Sequence, residues 1–422
     1  MTASEPLLRR RELSDLLARR RFALDDATLD GARRIVDDVR RGGLDAVIQH
    51  ARRLGDLDAD APIILERAAM VPALERLDSA DRDALESAAA RIRSFAEAQR
   101  SALGDISVPI PGGEAGHRFV PMRAAGCYAP GGRHPLPSSA LMTVIPARAA
   151  GVETVWLASP RASGATLAAA HLAGADGVLA CGGAQAIAAL AFGAGPVPGA
   201  DVVAGPGNRW VTAAKQIVSS EVAIDMLAGP SEIVIIADAG ADPELIAADL
   251  LAQAEHDTDA VPILITTNAG IADRVETALR AQLEDLPTGK TALAALANGG
   301  VLVVSDLDEA AAASEALAPE HLELMTRDDD RLAGALTRYG ALFIGPGSAE
   351  VLGDYGAGPN HTLPTAGTAA HASGLSVLTF LTLRTWLRAT PGATALCTES
   401  ARLARMEGLE AHARAAEARM RW

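Results

Sequence analysis

Thr154-Val-Trp-Leu-Ala158, Val178-Leu-Ala-Cys181 and Asp201-Val-Val-Ala204 are three short apolar runs, separated by alanine-rich stretches of helical length. Runs this short suit a strand and are too brief for a helix. Strand and helix in alternation predict a parallel sheet with crossover helices on both faces. A second series repeats the pattern in Glu232-Ile-Val-Ile-Ile-Ala237, Ile263-Leu-Ile-Thr266, Val301-Leu-Val-Val304 and Ala341-Leu-Phe-Ile344. The expected fold class is α/β: two Rossmann-like α/β domains with parallel-rich sheets, plus small helical N- and C-terminal segments.

The length of 422 residues agrees with more than one domain. The expected division places one α/β domain at 126–231 and builds the other from 26–125 and 232–372. Residues 1–25 form a helical arm in this division, and 373–422 a helical C-terminal segment. The arm is basic (Arg9-Arg10-Arg11, Arg19-Arg20-Arg21) and reads as solvated. From Asp26 to Gln99 apolar residues recur at helical spacing, among them Leu29, Val36 and Val39, then Leu85, Ala88, Ala89, Ile92 and Phe95. Beyond Ser373, Leu403, Leu409 and Ala415 continue a helical pattern. A net charge of −15 argues against a nucleic-acid partner. No stretch approaches the roughly 20 apolar residues of a membrane span, and Met1–Arg21 has no apolar signal region. Cys127, Cys181 and Cys397 show neither metal nor redox spacing. A soluble cytoplasmic enzyme, with no membrane partner, is expected.

Chemistry enters through glycine-rich loops and histidines. Tyr128-Ala-Pro-Gly-Gly132, Cys181-Gly-Gly-Ala-Gln185 and Gly205-Pro-Gly-Asn208 fall where open α/β sheets bind ligands, beyond the carboxyl ends of strands. None has the G-x-G-x-x-G or Walker spacing, so a nucleotide cleft and plain turn chemistry both remain open. Asp242-Pro243 starts a helix expected to run to about His256, with Gln253 and His256 three residues apart in its last turn. His321 follows Glu320, His361 ends the loop Leu352-Gly-Asp-Tyr-Gly-Ala-Gly-Pro-Asn-His361 that holds Asp354, and His412 lies five residues after Glu407. Gln253, His256, Asp354 and His412 would make a mixed nitrogen and oxygen set suited to Zn²⁺. Glu320 and His321 would supply acid/base groups. Spacing alone does not select these residues from the other histidines and acids.

Taken together the motifs resemble the histidinol dehydrogenase family from about residue 30 to the C-terminus. They are Gly126-Cys-Tyr-Ala-Pro-Gly-Gly132, Gly205-Pro-Gly-Asn208, Leu227-Ala-Gly-Pro-Ser-Glu232, Gln253-Ala-Glu-His-Asp257, Ala318-Pro-Glu-His-Leu322, Gly353-Asp-Tyr-Gly-Ala-Gly-Pro-Asn-His361 and Glu407-Gly-Leu-Glu-Ala-His412. The resemblance implies one zinc per subunit held by Gln253, His256, Asp354 and His412, with Glu320 and His321 as the acid/base pair. It implies substrate contacts from Ser231, His361 and Glu407 as well as from the zinc ligands and the acid/base pair. It also implies NAD contacts from Tyr128, Gln185 and Asn208. On this reading 126–231 binds NAD, the discontinuous domain is catalytic, and 373–422 dimerises. A homodimer with a shared metal site then oxidises L-histidinol to L-histidine in two hydride transfers through the aldehyde, the last step of histidine biosynthesis.

Two stretches depart from the family pattern: Arg133-His-Pro-Leu136 after the paired glycines, and Ala370-His-Ala372 before Ser373. An arginine at that place is similar to relatives that oxidise sulfonated diols, so the alternative is a paralogue acting on another polar alcohol. A catalytically silent scaffold on the same fold is a third reading, and the intact Glu320, His321 and ligand positions argue against it. With histidinol as substrate, Arg133→Ala should change activity little. If Arg133 reads an anionic group, the change should cost about 1.5–3 kcal/mol of substrate binding, the worth of a hydrogen bond to a charged partner. Equal, small effects on histidinol and on sulfonated diols would make it a loop residue.

Overall fold

Each alternating series closes into its own sheet. The computed structural model describes residues 6–19, 24–58, 61–131, 135–162 and 164–421; Arg133 and the Arg20-Arg21 pair lie outside them. The first sheet has six strands, in spatial order Ile64–Glu66, Gly177–Leu179, Thr154–Ala158, Ala124–Tyr128, Val202–Ala204 and Ala223–Ile224. All pair in parallel except Ile64–Glu66, which runs antiparallel beside Gly177–Leu179. Its first parallel strand, Ala124–Tyr128, lies inside the sheet. The chain builds outward on one side, then crosses back to place Val202–Ala204 on the other. That reversal opens a crevice at the carboxyl ends of these two strands.

The second sheet is parallel throughout, in the order Gly300–Val303, Val261–Thr266, Glu232–Ala237, His321–Met325 and Ala341–Ile344. Every residue of Glu232–Ala237 and of His321–Met325 is buried. Helices on both faces exclude water, which is why such strands read as nearly unbroken apolar runs.

The structure corrects three expectations. The basic arm, though Arg9 and Arg10 are exposed, is docked and not free in solvent: Arg10 bridges Val301 in parallel at the edge of the five-stranded sheet, and Glu276 accepts from the backbone N–H groups of Leu7 and Leu8. Leu8 and, on the helix Leu13–Arg19, Leu16 enter the cores on opposite faces of that sheet. Arg11 adds side-chain bonds of 3.2 Å to the Gly299 and Ala297 carbonyls, so leucines and arginine together hold the arm in place. The segment 26–101, expected with 232–372, instead packs on the six-stranded sheet. Val36, Val39 and Val47 of the helix Asp26–Arg53 share a core with Ile187, Leu190 and Val211. Ala88, Ala89 and Ile92 of the helix Ser79–Ser101 join Leu141 and Ile145 on the other face.

The third correction concerns the C-terminal segment, which is not wholly helical. Leu381–Ala389 is a strand that pairs antiparallel with Gly113–Pro121, itself paired with Ile106–Ile110. Leu381, Leu383 and Leu387 lie on one side of this strand and Trp386 on the other, and of these only Leu381 is buried. The helices Thr394–Met406 and Glu410–Ala418 then follow. Among the described residues no helix is long and apolar enough to cross a membrane.

Leu16, 3% exposed, anchors the arm. Leu16→Ala should lower stability in urea unfolding by about 2–5 kcal/mol, the range for a buried leucine. A loss below about 0.5 kcal/mol, typical of a surface change, would return the arm to solvent.

Candidate active site

The helix Pro243–Ala254 starts as its sequence dictates, with the Asp242 carboxylate accepting from Glu244 N–H at 2.9 Å. It ends two residues before the expected His256. Gln253 therefore stands in the last turn, fully buried, and His256 lies just beyond it with its side chain 43% exposed. With its Nε2 turned to the carboxylate, Gln253 donates to Glu350 Oε1 at 2.8 Å.

His321 opens the strand His321–Met325, and parallel pairing with Glu232–Ala237 fixes its backbone at the amino edge of the sheet. Its Nδ1 lies 3.2 Å from the Glu232 carbonyl, 3.4 Å from Glu350 Oε1 and 3.6 Å from Glu320 Oε2. The carbonyl can only accept, so in the tautomer that satisfies it the proton is on Nδ1 and Nε2 keeps the lone pair. Nε2 is buried with no hydrogen-bond partner, and Asp354 Oδ1 stands 3.9 Å away. Burial pushes the imidazole pKa down to about 4, against the opposing pull of Asp354, and keeps the ring neutral at ordinary pH. The Glu320 carboxylate accepts from Glu232 N–H at 2.9 Å, and its burial raises its pKa well above the usual range. Glu350 is raised too, by burial first and then by Asp354 and Glu320.

After Ala341–Ile344 the chain folds back through the short helix Glu350–Asp354. Glu323, two residues from His321 on the same face of the strand, accepts from Glu350 N–H at 2.7 Å and sets that helix's start. Gly353 leaves room for the Phe343 ring, since a Cβ there would sit 2.8 Å from it. Asp354 Oδ2 lies 3.8 Å from His256 Nε2. His361 then joins the two sheets: its Nδ1 lies 3.0 Å from the Asp354 carbonyl, and its Nε2 lies 3.3 Å from Ser139 Oγ. Asn360 adds a bond of 2.6 Å to the Met142 carbonyl. Ser231, half-buried, immediately precedes Glu232–Ala237, and its carbonyl accepts from Val261 N–H.

Gln253, His256, Glu320, His321, Asp354 and His361 therefore gather at one place. Glu407 and His412 do not join them: both are exposed on the C-terminal helix pair, and no hydrogen bond or ion pair among the described residues links them to the cluster. The residues close enough to share a metal ion within one chain are His321, Glu350 and Asp354, whose ligand atoms lie within 4.8 Å of one another. Imidazole nitrogen with carboxylate and carboxamide oxygens suits zinc. The carboxamide oxygen of Gln253 and the half-exposed ring of His256 also fit that role. Glu350 is a poorer donor, because its raised pKa favours the neutral form and its carboxyl is occupied by Gln253. Sequence reading missed Glu323 and Glu350. The signal for Glu350 was its place four residues before Asp354, one helical turn away.

On the other sheet Tyr128, Gln185 and Asn208 all lie at the carboxyl ends of strands, around the topological reversal. The Tyr128 hydroxyl accepts from Gly183 N–H at 3.2 Å. Asn208 caps the helix Arg209–Val218, its Oδ1 accepting from the N–H groups of Trp210 and Val211. Gln185 is buried, donates Nε2 to Asp56 at 3.3 Å and has an Oε1 without a partner. Asp56 also accepts from Gly182 N–H at 3.1 Å. Nothing local in the sequence marks it, because its partners lie more than a hundred residues away.

The family model for histidinol dehydrogenase matches residues 18–420. The histidinol dehydrogenase of Thermus thermophilus is 44% identical over 410 residues, covering 97% of this chain and 98% of that one. That of Haloarcula marismortui is 45% identical over 394 residues, covering 92% of each. A crystal structure of histidinol dehydrogenase from Elizabethkingia anophelis superimposes with a TM-score of 0.92 at 32% identity, covering 99% of both chains. With that cluster at the amino edge of a parallel sheet and agreement along nearly its whole length, this chain belongs to the histidinol dehydrogenase family and is an oxidoreductase.

Proposed function

We propose that this chain is a zinc- and NAD-dependent histidinol dehydrogenase, oxidising L-histidinol through the aldehyde to L-histidine in the closing step of histidine biosynthesis in the cytoplasm. The observation that carries the reading is His321: a buried imidazole whose Nε2 has no hydrogen-bond partner, beside the buried carboxyl of Glu320. In each oxidation His321 Nε2 takes the hydroxyl proton as hydride leaves carbon. Between them Glu320, in its ionised form, takes a proton from the water that adds to the aldehyde; burial raises its pKa and so makes that carboxylate a stronger base than one in water. Ser231, directly before Glu232, and His361 would orient the substrate, with Glu407 of a second copy, like His412, as a further contact.

Gln253, His256 and Asp354 would hold the zinc, with His412 from a second copy of the chain completing the set. When bound, zinc anchors the substrate and polarises its oxygen, and NAD accepts hydride. Tyr128, Gln185 and Asn208 would hold the dinucleotide. Two observations support the shared site. His412 is remote from the cluster in its own chain, and the C-terminal segment exposes Leu383, Leu387, Leu403 and Met406, the last at 76%. A ligand exchanged between copies ties metal binding to assembly.

Zinc-loaded protein should form NADH from L-histidinol. NADH from a sulfonated diol and none from histidinol would move the substrate to the other class. His321→Ala should keep its zinc and lose roughly 10²–10⁴-fold in rate, the usual worth of a general base. Zinc lost from that variant, with the fold intact, would count against its assignment as base. His256→Ala should lose metal first.

Co-refolding His256→Ala with His412→Ala tests the shared site. If His412 acts across the interface, a mixed dimer has one site with both lesions and one intact, and activity returns. If it acts within its own chain, both sites keep a lesion and activity stays at the level of the parents. No recovery, with mixed dimers shown to form, removes the shared site.

A further inference from the structure

Lys215 and Asp225 form an ion pair with both side chains out of solvent, at 2% and 0% exposure. Burying two charges is costly, and a well-packed apolar pair of the same volume commonly gives equal or greater stability. The pair therefore calls for a reason beyond filling space. Lys215 Nζ donates to the Gly205 carbonyl at 3.0 Å, while Asp225 Oδ2 accepts from Gly205 N–H at 2.7 Å. Asp225 Oδ1 accepts from Met226 N–H, also at 2.7 Å. Opposite charges thus grip the two polar groups of one glycine.

Gly205 is the first residue of Gly205-Pro-Gly-Asn208, and its backbone runs hard against Tyr128. It has φ +127°, and a Cβ there would lie 2.1 Å from the Tyr128 carbonyl oxygen and 3.0 Å from the Tyr128 nitrogen. At its other end the loop passes into Asn208, which caps the helix Arg209–Val218 that carries Lys215. Strand end, loop, cap and helix are closed into a ring with the ion pair as its tie.

We infer that Lys215 and Asp225 are positioning residues for the dinucleotide: by gripping Gly205 they fix where Tyr128 and Asn208 stand. This rests on the reading of Tyr128, Gln185 and Asn208 as the NAD site. Neither Lys215 nor Asp225 reaches solvent, and apart from the bond of Asp225 to Met226 N–H their side-chain bonds go to Gly205 and to each other. A lysine whose ammonium is already bonded to a carbonyl and a carboxylate does not itself contact the ligand.

The test measures the NADH dissociation constant by fluorescence in the zinc-loaded protein, with zinc content, the KM for L-histidinol and the melting temperature measured alongside. Lys215→Met should weaken NADH by roughly 10- to 100-fold, the worth of a charged hydrogen bond, and Lys215→Arg should restore part of it. Zinc content and the histidinol KM should stay unchanged. Should Lys215→Met fold poorly, the double variant Lys215→Met with Asp225→Leu removes both charges and leaves none buried alone. That variant should be stable and still bind NADH weakly. Unchanged NADH affinity in either folded variant overturns the inference, and so does a loss of zinc and of NADH in the same proportion. If the unaltered protein binds no NADH, the dinucleotide reading itself falls and the positioning role with it.

Discussion

The structure depends on keeping ionisable groups out of water beside one another. Glu320, His321, Glu323 and Glu350 are all buried, and a buried charge without partners costs several kcal/mol. The fold meets this in two ways. Burial moves the pKa values toward the neutral forms, upward for the carboxyls and downward for His321. Backbone N–H groups and a carboxamide supply the remaining bonds: Glu232 N–H to Glu320, Glu350 N–H to Glu323, and Gln253 to Glu350. A neutral imidazole with an idle nitrogen is a consequence of that environment.

Each of those bonds joins different elements, so the environment exists only when the five-stranded sheet is complete. Glu320 and His321 come from the start of one strand, the N–H that binds Glu320 from the start of its neighbour, and Gln253 from the helix that leads to a third. Parallel pairing brings these starts to a common edge. The same topology in the six-stranded sheet brings strand ends, with their glycine loops, to the opposite kind of edge. The segment Asp354–His361 spans the two, through Ser139 and Met142 on one side and His321 and His256 on the other. Its glycines are required in part by space: Gly356 and Gly358, with φ +123° and +129°, pass close to Ala88 and Phe95 of the helix Ser79–Ser101.

The alternation of apolar runs was enough to specify two parallel sheets, because a strand covered on both faces must be apolar along its length. Glu232–Ala237 was legible to the residue for that reason, while Ala341–Ile344, a half-buried edge strand, was legible through its apolar run alone. Asp242-Pro243 likewise marked its helix start through capping and a fixed φ, both local effects. The motif residues were legible through resemblance, since their order along the chain is distinctive even where their spacing is not.

What the tertiary structure decided is whatever depends on contacts distant in sequence. Helical spacing in 26–101 announces an apolar face without saying which sheet it covers, and the answer came from Val36, Val47 and Ile92 meeting the six-stranded sheet. The strand Leu381–Ala389 needs Gly113–Pro121 beside it, and its half-exposed pattern resembles a polar helix until that partner is known. Glu323, Glu350 and Asp56 carry no motif; each matters through a bond to a residue far along the chain. The sequence alone could name His321 as a base, but only the packed fold, by removing water from around it, makes the ring neutral and leaves Nε2 without a hydrogen-bond partner.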